Sequence, residues 1–293
     1  MRSIRSRFRH ALFILTVSAL SATLAASAHA QGTSDPTSSA LAVSGGVDLA
    51  SHYMFRGVRQ NSTGIVVWPS AALTARVLAS DGAVKRVDAK VGFWNSLNTG
   101  DTGSDGPAGR PWYESRVSAS LGVQFPGHVS VTSAYIAYMS PNDMFSAVKE
   151  IGVTVSVDDG PARGGVRLSP YASLAFEVDT SPGAGQLDGG SRAGRYLELG
   201  ASAEVPAKRI ALSFPVKAGL SVRDYYELGE RDHTFGFFSV GSILTVPVTR
   251  ASKVGRWNVH GSLEFQSLGE TTKVFNGGDR SVVIASVGVG LRP

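Results

Sequence analysis

Twelve times along this chain, apolar and polar residues alternate for longer than an ordinary strand lasts. The segments are 43–55, 65–79, 86–98, 112–125, 128–139, 147–158, 165–178, 195–205, 209–223, 236–248, 256–267 and 281–291. In WYESRVSASLGVQF, Tyr113, Val117, Ala119, Leu121, Val123 and Phe125 share one face, opposite Glu114, Arg116, Ser118, Ser120 and Gln124. In RYLELGASAEV, Leu197, Leu199, Ala201, Ala203 and Val205 oppose Tyr196, Glu198, Ser202 and Glu204. A helix would need apolar residues three and four apart, so the pattern predicts β-structure. Most segments run roughly 11–15 residues, where soluble strands average ~5–6 and a tilted strand crossing a bilayer needs about 9–11.

The connections alternate too. Short turns such as SDGAVK, PG, DGPARG, PAK and TRASKVG follow every second segment. Long Gly- and Asp-rich loops such as TGDTGSDGPAGRP and TSPGAGQLDGGSRAG follow the others. Membrane barrels have short turns on the periplasmic side and longer extracellular loops. An open sheet edge in lipid would leave unpaired amides, so a spanning sheet must close. The expectation is an all-β chain: a transmembrane antiparallel up-and-down β-barrel of about twelve strands over 40–293. The alternative for the same alternation is a soluble sandwich with an apolar core.

In a barrel the apolar face is the outer one. The stretch GVDLASHYMFRGVRQNSTG (46–64) then sends Val47, Leu49, Ser51, Tyr53 and Phe55 toward lipid, and Asp48, Ala50, His52, Met54 and Arg56 inward. Aromatics gather near the segment ends as an expected girdle: Tyr53, Phe55, Phe93, Tyr113, Tyr135, Phe176, Phe238 and Phe265 at the extracellular level, and Phe125 and Trp257 at the other. The last segment ends Arg292-Pro293, not in the aromatic residue with which many outer-membrane barrels finish.

Residues 1–30 read as a secretory signal. Arg2, Arg5, Arg7 and Arg9 precede a short apolar core, ALFILTVSAL, and Ala28-His29-Ala30 offers a cleavage site near Ala30. Residues 31–39 (QGTSDPTSS) read as a flexible periplasmic leader. The signal holds four of the 28 basic residues and no acidic one, which leaves 24 basic against 23 acidic residues. No basic run remains to bind nucleic acid. The chain has no cysteine, so disulfides, thiol catalysis and a lipid-modified N-terminal cysteine are excluded. The expected location is the outer membrane of a Gram-negative bacterium. The expected partners are outer-membrane lipid and lipopolysaccharide, the export and barrel-assembly machinery, and small polar solutes.

The inward faces carry both signs. The lumen-lining candidates are Asp48, Arg56, Arg76, Asp88, Lys90, Glu114, Arg116, Glu150, Arg167, Glu177, Glu198, Lys217, Arg223, His260 and Glu264. Glu204 belongs with them. Balanced charges in a narrow lumen predict weak ion selectivity. His260, Ser262 and Glu264 share one strand face and have the residue types of a hydrolase set, though on the lumen side. Asp101, Asp105 and Asp279 are loop carboxylates without EF-hand spacing. Asp224-Tyr225-Tyr226-Glu227 and Glu230-Arg231-Asp232-His233 form a charged, aromatic loop patch. No P-loop, dinucleotide fingerprint or zinc-protease motif occurs, so no cofactor, metal or catalytic residue is expected.

The stretch VDLASHYMFRGVRQNSTGIVVWPSAAL resembles the opening of the TorF-type porin family, also called the Gcw_chp conserved bacterial outer-membrane proteins. The shared features are Ser51, Tyr53, Phe55-Arg56-Gly57 and a second strand carrying Pro69, over about 25 residues. The resemblance implies an exported outer-membrane β-barrel and no active site. The function expected is a narrow passive channel for small polar solutes. The alternatives are a closed structural or adhesive barrel acting through its extracellular loops, and a lipid-modifying hydrolase.

Overall fold

The computed structural model describes residues 40–61, 63–101, 111–158, 166–178, 192–206, 210–229, 231–248 and 255–293. The expected signal, leader, Asp105, Glu230 and most of the turns over 159–164, 206–208 and 249–255 lie outside them. Twelve strands form one closed antiparallel barrel. They are β1 (Leu41–Ala50), β2 (Val66–Ala79), β3 (Arg86–Asn98), β4 (Trp112–Gln124), β5 (Val129–Met139) and β6 (Val148–Val157). The circuit continues with β7 (Arg167–Glu177), β8 (Arg195–Pro206), β9 (Ala211–Arg223), β10 (Phe235–Pro247), β11 (Arg256–Leu268) and β12 (Ser281–Arg292). Each strand pairs with its neighbours in sequence, and β1 closes the circle on β12 from Gly45↔Leu291 to Ala50↔Ser286. Closure leaves no edge with unpaired amides.

The alternation has the expected sense. Val47, Leu49, Leu73, Val91, Leu199 and Leu263 are exposed on the outer face. Asp48, Ser120, Ser173, Glu198 and Gln266 are buried on the inner one.

The first strand departs from expectation. It stops at Ala50, not at residue 55. Ser51 makes the last ladder contacts, donating its N–H to Ala285 O (2.9 Å) and accepting from Ala285 N at its hydroxyl (3.0 Å). The chain then turns inward. Met54–Phe55 pairs with Val58–Arg59 across a two-residue turn, with φ +47° at Arg56 and +84° at Gly57. Two successive positive φ values are the signature of a type I′ hairpin. Gly57 takes its conformation freely and lies close to Phe237 and Thr272, where a Cβ would sit 3.1 Å from each. Period-two spacing persists through Tyr53 and Phe55 because the hairpin is itself extended. Spacing alone does not reveal that the backbone has left the wall.

Bulges produce two further departures. Ser96 pairs with Glu114 but Leu97 with Trp112, so Tyr113 is an extra residue. Trp112 takes the outward place and Tyr113 turns in beside Glu114. Likewise Arg195 pairs with Arg223 but Tyr196 with Ser221. The skipped Val222 leaves Arg223 on the outward face.

Candidate functional site

The inward hairpin places Arg56 at its tip, at the centre of the long-loop end of the barrel. Its guanidinium donates to both oxygens of Glu150 on β6, Nη1 to Oε1 at 2.5 Å and Nη2 to Oε2 at 3.0 Å. Nη1 also donates to the Tyr225 hydroxyl (2.6 Å). The guanidinium carbon lies 4.1 Å from the Tyr196 ring centroid. Glu150 takes a third bond from the Tyr138 hydroxyl (2.8 Å). The pair is almost fully withdrawn from solvent, with side-chain exposures of 1% and 2%. Two charges so placed require this paired, multiply bonded geometry.

On one side of the tip, Tyr53 donates to Glu114 Oε2 (2.8 Å), and Arg116 bonds both Glu114 and the Tyr53 hydroxyl. Arg116 also stacks over Trp94, 4.2 Å from its centroid. Tyr53, Trp68, Trp94 and Tyr113 pack edge to face around it. On the other side, Tyr225 and Tyr226 fold in from the loop after β9. The Tyr226 hydroxyl donates to the Arg56 carbonyl (3.0 Å). Burial pushes both loop phenols well above their usual range, against the pull of Arg56. They therefore stay neutral donors at physiological pH. A short helix, α1 (Glu270–Phe275), and the residue after it cover the hairpin. Asn276 accepts from Arg59 N (2.8 Å) and donates to Gly57 O (2.7 Å).

Together these groups form a sealed layer. Every strand adds a buried residue to it: Ala50, Val66, Trp94, Arg116, Tyr138, Glu150, Ala175, Tyr196, Ser221, Phe237, Leu268 and Val282, in strand order. Tyr53, Tyr138, Tyr196, Tyr226 and Glu150 are below 2% exposed. These side chains are almost wholly withdrawn from solvent on both sides. Toward the short-turn end the inner wall carries small polar side chains, such as Ser120, Thr132, Thr154, Ser202 and Thr245, among the charged groups Arg76, Asp88, Lys90, Arg167 and Glu204.

The other lumen candidates sort by partner. Asp48 meets His260 Nε2 at 2.5 Å across β12, whose Gly288 leaves the gap; a Cβ there would lie 2.3 Å from the Asp48 carboxylate. Glu264 pairs with Lys217 (3.3 Å) and accepts from Gln266 (3.0 Å). Glu198 accepts from the Tyr171 and Tyr196 hydroxyls at 2.7 and 2.8 Å. Glu177 accepts from Gly194 N (2.7 Å). Arg167 lies 3.8 Å from Glu204, and Arg86 lies 2.5 Å from Asp88. Arg76 is the cross-strand neighbour of Asp88. Lys90 sits half-buried between Thr74 and Ser120 in register, with no polar partner among the described residues.

Several expectations are corrected. Arg56 fills the lumen from a loop and does not line its mouth. Arg223 lies on the outer rim, 66% exposed in its side chain and 3.0 Å from Asp224, because the bulge at Val222 reverses its parity. Tyr53, Phe55 and Tyr113 leave the girdle: all three are within 5% of full burial inside the barrel. Phe93, Phe238, Phe265 and Trp257 are exposed on the outer face, and Tyr135 and Phe176 are half-buried on it. Phe125 is half-buried at the β4–β5 turn. Tyr225 and Tyr226 are not a wet loop patch but part of the seal. His260, Ser262 and Glu264 do not assemble: Ser262 bonds Ser286 (2.7 Å), and His260 Nδ1 faces Asn258 (3.1 Å). Asp279 pairs with Arg59 (2.9 Å), and no grouping of ligands for a metal occurs among the described residues. The residues that sequence reasoning missed are Trp94, Tyr138, Tyr196 and Phe237. Their signal was present: each is an aromatic on the polar parity of its strand.

No family model and no curated protein matches this sequence. Among solved structures, the NanC porin is similar at TM-score 0.43 and 11% identity, over 87% of this chain and 100% of that one. The translocator domain of the autotransporter NalP from Neisseria meningitidis gives 0.43 and 12%, over 92% of each chain. The Salmonella typhi outer membrane phospholipase OMPLA gives 0.44 and 11%, over 85% of this chain and 90% of that one.

Proposed function

We propose that this chain is an outer-membrane β-barrel that is closed at rest, and that it passes small polar solutes when the first-loop hairpin leaves the lumen. The observation that carries the reading is the sealed layer anchored by Arg56 and Glu150. The membrane part rests on the outer face. Its strands present Val, Leu, Phe and Trp side chains 40–60% exposed, such as Leu41, Val91, Phe93 and Trp257. That belt has no stable place in water but suits hydrocarbon. The transport part rests on the polar inner wall beneath the seal, where hydroxyl and charged side chains replace the aromatics.

The test is planar-bilayer recording of the refolded barrel with and without residues 53–60, the deletion bridged by a short Gly-Ser linker. Silence from the intact chain and steady, weakly selective steps from the deletion are expected. Steps from the intact chain would overturn the closed resting state. Silence from both, with folding verified, would favour a purely structural or adhesive barrel.

A further inference from the structure

Every acidic side chain within the described barrel strands falls on the inward register. The outward register is apolar or neutral with three exceptions: Lys149, Arg195 and Arg223. All three are cations, all are exposed, and all lie at the long-loop end, Arg195 and Arg223 on the adjacent strands β8 and β9 and Lys149 on β6, one strand further on across β7. Arg195 and Arg223 are direct cross-strand partners, an arrangement of like charges that weakens a sheet unless an anion sits between them. The bulge at Val222 is what turns Arg223 outward, away from the lumen its position would otherwise face. Arg195 has no polar partner among the described residues. Arg223 and the adjoining Arg192 share Asp224, at 3.0 and 3.4 Å, and Arg192 also meets Glu227 at 3.3 Å, so these two cations are balanced and Arg195 carries the positive charge of the patch.

We infer that this rim sector binds the phosphate groups of an anionic glycolipid in the outer leaflet. The inference rests on the membrane reading above and not on the plug. Strand spacing of about 4.8 Å sets Arg195 and Arg223 side by side on β8 and β9, with Lys149 two and three strands away from them, ~10–15 Å along the wall. The guanidinium forks suit phosphate oxygens. Beside Arg195, Phe176 is its cross-strand neighbour and that of Ile151, and Leu197 and Leu174 lie beneath. Phosphates above and acyl chains below would each meet a matching surface.

The experiment compares the wild-type barrel with Lys149→Gln/Arg195→Gln/Arg223→Gln, and with Lys85→Gln at the opposite end as a control. All three are reconstituted in phosphatidylcholine vesicles with bisphosphorylated lipid A, and lipid A retained after mild detergent extraction is quantified. Heat-modifiable gel mobility verifies insertion. Each cation removed should weaken retention about fivefold, the triple variant roughly a hundredfold, and the control not at all. Equal retention by wild type and triple variant would overturn the proposal. Equal retention of dephosphorylated lipid A would overturn phosphate recognition. Competition by inorganic phosphate at matched concentration would reassign the site to a soluble anion and overturn the lipid source. Failure of the wild type to insert would overturn the membrane reading itself.

Discussion

Glu150→Gln is the substitution that most directly probes the plug. It preserves side-chain shape but removes the charge opposite Arg56, and it can turn an amide N–H₂ toward donors that faced an acceptor. Breaking a buried pair by neutralising one partner costs about 3–5 kcal/mol, because the other charge stays desolvated. The hairpin otherwise gains from burying Tyr53, Met54 and Phe55, at ~1.5–3 kcal/mol per fully buried large side chain. Against this stands the ordering of the loop, at ~1–2 kcal/mol per residue fixed. For residues 53–60 that ordering cost, roughly 8–16 kcal/mol, exceeds the burial gain of about 4.5–9 kcal/mol, so docking depends on the polar contacts, chief among them the buried ion pair. A loss of about 3 kcal/mol multiplies the undocked fraction roughly a hundredfold. Undocking hydrates Arg56 and leaves the barrel ladders intact, so the effect belongs to the plug and not to the wall. Limited trypsinolysis after Arg56 or Arg59 reads the undocked fraction, and bilayer recording reads the open pore. Faster cleavage and new current are expected. Replacing both partners, Arg56→Met with Glu150→Met, should restore protection and silence, since an apolar pair of similar volume removes the uncompensated charge. A Glu150→Gln barrel as resistant and silent as wild type would refute the assignment of the pair as the plug's anchor.

Other perturbations separate plug from wall. Gly57→Val forces a β-branched residue to φ +84° and drives its side chain into Phe237 and Thr272; it should raise tryptic cleavage of the hairpin without lowering the thermal midpoint of the barrel. Gly288→Ala puts a methyl between Asp48 and His260 at the closing seam; it should cost about 1–3 kcal/mol and lower the midpoint by several degrees while the barrel stays silent. Brominated lipids should quench single-tryptophan variants retaining Trp112 or Trp257, 49% and 46% exposed on the outer face, and spare one retaining Trp94, 7% exposed; a quenched Trp94 would contradict the inside–outside assignment.

The strand count, the closure and the sense of the alternation were legible because period-two patterning reports them residue by residue. Leu197, Leu199 and Ala201 against Glu198 and Ser202 leave no other face for lipid. What was not legible has two physical sources. A bulge inserts one residue and reverses every parity beyond it, and no side chain announces the insertion; this is why Tyr113 and Arg223 swapped sides. A hairpin folded inward keeps strand spacing while both of its faces become buried, so Tyr53 and Phe55 mimic a lipid-facing end. Gly57 did carry part of the turn signal, since glycine takes a positive φ freely, but nothing about Arg56 announced its own φ of +47°. The aromatics on polar parity, Trp94, Tyr138 and Tyr196, carried the sign of a filled lumen.

A twelve-stranded wall is wider than its own side chains can fill, whereas an eight-stranded one can pack its interior. Closing it takes backbone, and the first loop supplies that backbone from within one connection. The loop is internally tied: Tyr53 N donates to Asn61 Oδ1 (2.6 Å) and Gln60 N to Tyr53 O (2.8 Å). Its ends leave the wall at Ser51 and return at Val66, on adjacent strands already paired with each other. The hairpin can therefore swing out as a unit without breaking a ladder bond between wall strands. The bonds it must break include those of Arg56, of Tyr53 to Glu114 and Arg116, of Tyr113 to Gln60, of Arg59 to Asp279, and of Asn276 to Gly57 and Arg59. Asn276 comes from the loop between β11 and β12, and Tyr225 from the loop after β9. A ligand or partner that pulled on either loop would thus act on the hairpin directly, with no rearrangement of the barrel. Asn276→Ala tests this coupling: it should loosen the hairpin to trypsin less than Glu150→Gln does, because it removes two neutral bonds at the surface of the plug and leaves the buried charge pair in place.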